Sequence, residues 1–240
     1  MTVFIRVFRN ELRNIFRDRM YFFLMVYPFI FGTIGYFLVP YLNETAHPLA
    51  GEITALVIIM MTGFVFGAIT GFTLLDDQDD HVIDALKVTP IPVKSYIASK
   101  LVLSYLLALV SLLVLIVFTG FLKGSPWDRL LMIALLLPLQ TPVYALMINA
   151  FADNKVEGFV VMKFSGLLLL VPIASIFLTD WQELLLSFLP SFWAIRLIAI
   201  ETIDTSYFFA SSLTYFLLGL GANAVLLALF FRIYRKRIEI

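Results

Sequence analysis

Five carboxylates fall within nine residues of this chain, Asp76, Asp77, Asp79, Asp80 and Asp84, with His81 among them. Oxygen ligands and an imidazole at that density could hold a divalent cation, and an acid beside a histidine could move protons. The spacing argues against both. No D-x-D-x-D-G loop is present, and the only other histidine, His47, falls on the opposite membrane face by the charge pattern set out below. There is no His-Glu-x-x-His, no nucleophile elbow and no phosphate-cradling glycine loop. The absence of cysteine removes disulfides, thiolate ligands and thiol nucleophiles. No catalytic residue and no metal site is expected. The acidic run is then either a solvated loop or a surface that docks another protein.

The elements that must position it are membrane helices. Hydrophobic residues make up 61% of the 240 positions and charged residues 14%, against about 45–50% apolar in a soluble domain. Mean hydropathy is +0.97. Apolar runs near the length that crosses a bilayer recur, and strand-type alternation is absent, so the chain reads as an all-α integral membrane protein in one transmembrane domain over residues 1–240. Spans are expected at about 21–39, 53–75, 98–122, 130–150, 160–179 and 207–231. Prolines 28, 138, 142 and 172 interrupt them. The first run lacks a small-x-small cleavage pattern and reads as a retained span rather than a leader. Ahead of it, residues 1–20 place Phe4, Phe8, Leu12 and Ile15/Phe16 at helical spacing with Arg6, Arg9, Arg13 and Arg17 between. That pattern suits an amphipathic helix in the headgroup layer better than a soluble basic tail.

Orientation follows from the basic residues. With a cytoplasmic N-terminus, all of the 17 Lys and Arg except Lys123, Arg129 and Arg196 lie in cytoplasmic segments. Both termini, the 2–3 connection that holds the acidic run, and the 4–5 connection are therefore expected inside. The stretch 180–206 is too long for a turn and too apolar for a solvated loop. Broken by Pro190, it suggests an outer re-entrant helical hairpin with Trp181, Phe188, Phe192 and Trp193 at interfacial depth.

The docking reading of the acidic run accounts for more residues than the others. A short helix is expected from Asp79 to about Val88, with Asp79 and Asp80 in its first turn and Lys87 near its last. Val82, Ile83 and Leu86 share one face. Pro90 pushes Thr89 out of helical geometry, so the helix ends in a stiff elbow. Such a helix has little of its own chain to bury against, and a partner groove is the expected seat. In the 4–5 connection, Asn154, Lys155 and Glu157 form either a second contact with a partner or a solvated, capped turn.

The acids followed by "VIDALKVTPIPVKSYIASK" resemble the 2–3 loop of ABC-2-type transporter permeases, with Asp80 and Asp84 standing for the two acids, Thr89-Pro90 for the Thr-Pro step and Lys100 for the closing lysine. His81 stands where the family carries glycine. "ADNKVEGFVVMKFSGLLLLVP" and "LPSFW" look like the fluoroquinolone-export permease subgroup, and the likeness covers essentially the whole chain. The resemblance implies that residues 79–90, with Asp79, Asp80, His81, Val82, Ile83, Asp84, Leu86, Lys87, Thr89 and Pro90, form a coupling helix seated on a separate ABC ATPase subunit. The chain has no nucleotide-binding domain and no P-loop, so ATP and Mg would be bound by that partner and no cofactor by this chain. A second permease chain, identical or paralogous, would complete the pathway in a prokaryotic inner membrane. The expected function is export of a small amphipathic molecule, drug or lipid-like substrate. A stand-alone secondary transporter or channel is the alternative, and it would need buried acids for proton coupling. Membrane lipid is a partner in either case; nucleic acid is not.

Overall fold

The computed structural model describes residues 3–46, 48–178, 180–203, 207–209 and 211–238; His47 lies outside them. Six helical stretches among these residues are long and apolar enough to cross a membrane: Arg19–Thr45, Leu49–Asp79, Val93–Thr119, Trp127–Phe151, Lys155–Phe177 and Ser212–Arg237. Each overlaps an expected span. The second runs past its expected end at residue 75 because Asp76, Asp77 and Gln78 find partners on other elements.

Val3–Arg17 forms α1, ahead of the first span. Asp18 then starts a new helix, its Oδ1 accepting from the backbone N–H of Met20 at 2.8 Å and Tyr21 at 3.2 Å. The first span is two pieces, Arg19–Met25 (α2) and Tyr27–Thr45 (α3), with Pro28 in the first turn of α3, where a missing N–H costs nothing. Pro138 sits in the 3-10 turn Leu137–Leu139 between Trp127–Leu136 (α7) and Gln140–Phe151 (α8). Pro172 lies in the 3-10 segment Val171–Phe177 that continues Lys155–Leu170 (α9). These prolines mark the joints of three spans, whereas Pro142 is absorbed near the start of α8.

Pro48–Asp79 (α4) is the central element, and it packs most closely on α8. Its glycines at 63, 67 and 71 recur every fourth residue and so share one face. A Cβ at Gly67 would stand 2.8 Å from both the Thr141 carbonyl oxygen and the Tyr144 Cβ; at Gly71 it would meet Ile148 at 3.0 Å. The backbones approach this closely because nothing stands between them, which is how small residues join membrane helices.

Between the fifth and sixth spans lie a 3-10 segment, Asp180–Leu186, and Phe192–Thr202 (α10), followed by the last span, Ser212–Arg237 (α11). The four aromatics expected near the interface differ in how far the protein covers them. Trp181 and Phe188 are exposed, but Phe192 and Trp193 are buried in the core, with Trp193 Nε1 donating to the Ser187 carbonyl at 2.9 Å. An indole N–H satisfied inside the protein has no need of interfacial water. Gly219 on α11 makes room for the Trp193 Cβ.

Candidate functional site

The acidic run divides by direction. Asp76 and Asp77 turn inward in the last turns of α4, and Asp79 and Asp80 are exposed. Asp77 Oδ2 accepts from Lys100 Nζ at 2.6 Å and from the Tyr96 hydroxyl at 2.9 Å. Lys100 lies in Val93–Thr119 (α6) and is 2% exposed. Its Nζ also pairs with Glu11 of α1 at 3.1 Å and donates to the Thr73 carbonyl at 3.3 Å, so all three of its donors have acceptors. Asp76 accepts from the Tyr21 hydroxyl and from Lys155 Nζ, both at 2.6 Å. Gln78 donates to Asn149 Oδ1 at 3.0 Å, and Asn149 donates to the Gly71 carbonyl at 2.9 Å. Arg237, ending the last span, pairs with Asp153 and donates to the Asn149 carbonyl at 3.2 Å. Among the described residues, α2, α6, α8, α9 and α11 are each bonded to the end of α4, the last through Gln78 and the Tyr234 hydroxyl, and α1 joins them by way of Lys100.

From that anchored end the chain turns through Asp80 and His81 into a short helix, Val82–Lys87 (α5). Two expectations are corrected. The helix does not begin at Asp79: α4 continues through it, so Asp79 and Asp80 stand at a helix C-terminus, where the dipole disfavours carboxylates. The apolar face is not free either. Ile83 is buried against Leu74, Val93, Ile97 and Leu101, with Leu86 packed on the same group and Val82 half-buried. His81 has φ of 56°, the left-handed region that glycine adopts without cost. In the first turn of α5, Asp84 sits 3.1 Å from Lys87 Nζ and 3.4 Å from His81 Nδ1. The hydrogen bond from Lys87, then that from His81, holds its carboxyl below the ordinary carboxylate range. Thr89 closes the helix by donating its hydroxyl to the Leu86 carbonyl at 2.9 Å and accepts from Ile91 N–H at 3.3 Å. Pro92 then caps the start of α6. Beside the exposed His81, Asp84 and Lys87, the surface left open consists of Ala85, Val88, Thr89 and Pro90, with Val88 88% exposed.

In the 4–5 connection Asn154 caps α9, its Oδ1 accepting from Glu157 N–H at 3.0 Å while Glu157 Oε2 accepts from Asp153 N–H at 2.8 Å. Asn154 and Glu157 therefore build the turn itself. Lys155 bridges to Asp76 and so joins this connection to the acidic run.

Sequence reasoning passed over a fully buried ion pair at the opposite end. Arg196 of α10 and Glu183 are both fully buried and paired, and the Tyr215 hydroxyl donates to Glu183. Arg196 also donates to the Ser175 carbonyl at 2.8 Å and lies 4.4 Å from the centre of the Tyr207 ring. An Arg and a Glu inside so apolar a stretch were the available signal. At the same end a cavity of about 320 Å³ opens between α3, α4, the 3–4 connection and the end of α10, lined among others by Asn43, Glu52, Thr119, Lys123 and Glu201.

A family model described as "Fluoroquinolones export permease protein Rv2686c-like" matches residues 11–231. Two relatives from Mycobacterium tuberculosis, in strains CDC 1551 / Oshkosh and ATCC 25618 / H37Rv, carry the name fluoroquinolones export permease protein. Each is 26% identical over 197 residues, covering 78% of this chain and 78% of its own length. No solved structure matches the chain.

Proposed function

From the premise that the chain belongs to the Rv2686c-like fluoroquinolone export permease family, of the ABC-2 type, we propose that it is the transmembrane subunit of an ATP-driven exporter. In this reading a separate ABC ATPase seats against α5, a second permease chain completes the pathway, and both termini lie in the cytoplasm of a prokaryotic cell. The nucleotide and Mg belong to the ATPase, and this chain moves the cargo, a small amphipathic molecule, without covalent chemistry. The mounting of α5 carries the proposal. One side of the helix is locked to the ends of α4 and α6 through Ile83, and the other presents Ala85, Val88 and the Thr89-Pro90 elbow to solvent. Force applied to the exposed side would pass directly into two membrane spans. The contact surface is accordingly Ala85, Val88, Thr89 and Pro90 with the flanking charges Asp79, Asp80, Asp84 and Lys87, while Ile83, Leu86 and Val82 fix the helix to its own chain.

A photo-crosslinking residue placed at Val88 in native membranes tests this. It should capture an ABC ATPase, whereas the same residue at Phe164, exposed on α9, should not. An intact chain whose position 88 yields no ATPase adduct would remove the proposal.

A further inference from the structure

We propose that the cavity at the end opposite α5 binds an amphipathic cation, its charge against Glu52 and its apolar body against Val39, Ile58 and Leu122. The volume, about 320 Å³, is at the lower bound of small-molecule sites, which are apolar with a few placed polar groups. The wall has that composition. Glu52 is half-buried, and no ion pair or hydrogen bond reaches its carboxylate from any described residue. A carboxylate held against an apolar wall without a partner is under-solvated, so a cation there gains more than it would in open water. The other charges have different positions. Glu201 is shared with Arg129 at 3.7 Å, and Lys123 is exposed at the rim.

The surrounding chain is shaped to keep this space open. The 3–4 connection turns over it with three residues at positive φ, Gly120 at 66°, Leu122 at 65° and Gly124 at 100°, and Leu122 is nevertheless buried. A non-glycine residue held in that region marks strain that the packing enforces. Across the cavity Pro40 lies inside α3, leaving a backbone carbonyl without its helical donor. Asn43 lies over Gly51, where any side chain would collide with it, so α3 and α4 are fixed close together beneath the cavity.

The inference deepens the export reading by naming the charge class of the cargo, and rests on that reading for its physiological meaning. Its test needs neither ATPase nor membrane orientation, so the two can fail separately. Rhodamine 6G, a fluorescent amphipathic cation, is titrated into the detergent-purified chain and followed by polarisation, with uncharged Nile red in parallel. Saturable binding of rhodamine 6G is expected. Glu52→Gln should weaken it about tenfold, the scale of one contact to a charged group, and Lys123→Gln should tighten it by removing a like charge. Neither variant should alter Nile red binding, which also reports that the fold is intact. Glu44→Gln, an exposed carboxylate on α3 outside the cavity wall, should have no effect. Competition by added phosphatidylethanolamine would assign the bound cation to a lipid headgroup, and its absence to a free amphiphile. Rhodamine 6G binding that Glu52→Gln leaves within twofold of wild type, or lowers only as far as Glu44→Gln does, overturns the proposal.

Discussion

Replacing Lys100 with methionine should be among the most damaging single changes in this protein. The side chain is 2% exposed, and its ammonium stands 2.6 Å from Asp77 and 3.1 Å from Glu11, itself 5% exposed. Methionine matches the length but leaves two carboxylates facing each other without a cation. Breaking a buried pair by removing one partner costs about 3–5 kcal/mol, because the remaining charge is uncompensated. At about 2–4 °C per kcal/mol for a chain of this size, the unfolding midpoint should fall by about 10 °C. Intrinsic fluorescence of Trp127, Trp181 and Trp193 in detergent reads the transition without added probes. The triple variant Glu11→Gln, Asp77→Asn, Lys100→Met removes the whole ionic set and should recover most of the loss, since a neutral replacement of similar volume is often no less stable. A Lys100→Met protein that melts with wild type, or a triple variant no better than the single, would refute the reasoning.

Four further outcomes are expected. Gly67→Val should separate the second and fourth spans and abolish a monodisperse peak in size-exclusion chromatography, while Gly221→Ala, where no atom lies within 4 Å of an added Cβ, should elute normally. His81→Gly should raise the melting temperature slightly and His81→Val lower it, because the left-handed backbone costs an L-residue about 1–2 kcal/mol. Arg196→Met should destabilise more than Arg196→Met with Glu183→Gln, as read by the same melting assay. The Asp84 contribution to α5 should be present above the ordinary carboxylate pKa and fade as pH falls through its lowered folded value; a hydrogen-exchange protection factor at Ala85–Lys87, taken relative to the intrinsic rate at each pH, that falls on acidification, but not in Asp84→Asn, checks the sign.

Hydropathy made the six spans legible because a membrane helix must be apolar for its whole crossing. It placed the end of the second span too early for a physical reason. Asp76, Asp77 and Gln78 look like solvated loop residues, yet each has a partner on another element that allows the helix to continue. Glu11 and Lys100 are far apart in the chain, and no local pattern announces their pairing. The face of α5 was misjudged for the same reason: periodicity identifies an apolar face without saying whether the chain or a partner covers it. Aromatic type likewise could not separate Trp181 at the surface from Trp193 in the core. The four-residue spacing of Gly63, Gly67 and Gly71 was present in the sequence and would have foretold the closest helix pair. His81 was legible in part, since a histidine in place of glycine signals a special backbone angle.

The second span is an unbroken helix of 31 residues, about 46 Å long at about 1.5 Å per residue. Its first turns carry Glu52 in the wall of the cavity, and its far end carries Leu74, in the apolar group that holds Ile83 of α5. Where the first, fourth and fifth spans have proline joints that can absorb a displacement, this one behaves as a beam. A tilt of about 5° imposed at the Asp79 end, pivoting there, would carry Glu52 roughly 4 Å sideways if the rod stays straight. Distance between the two ends is then no obstacle to communication: length itself becomes the amplifier, and a small displacement at the α5 end would shift the stretch of cavity wall that carries Glu52.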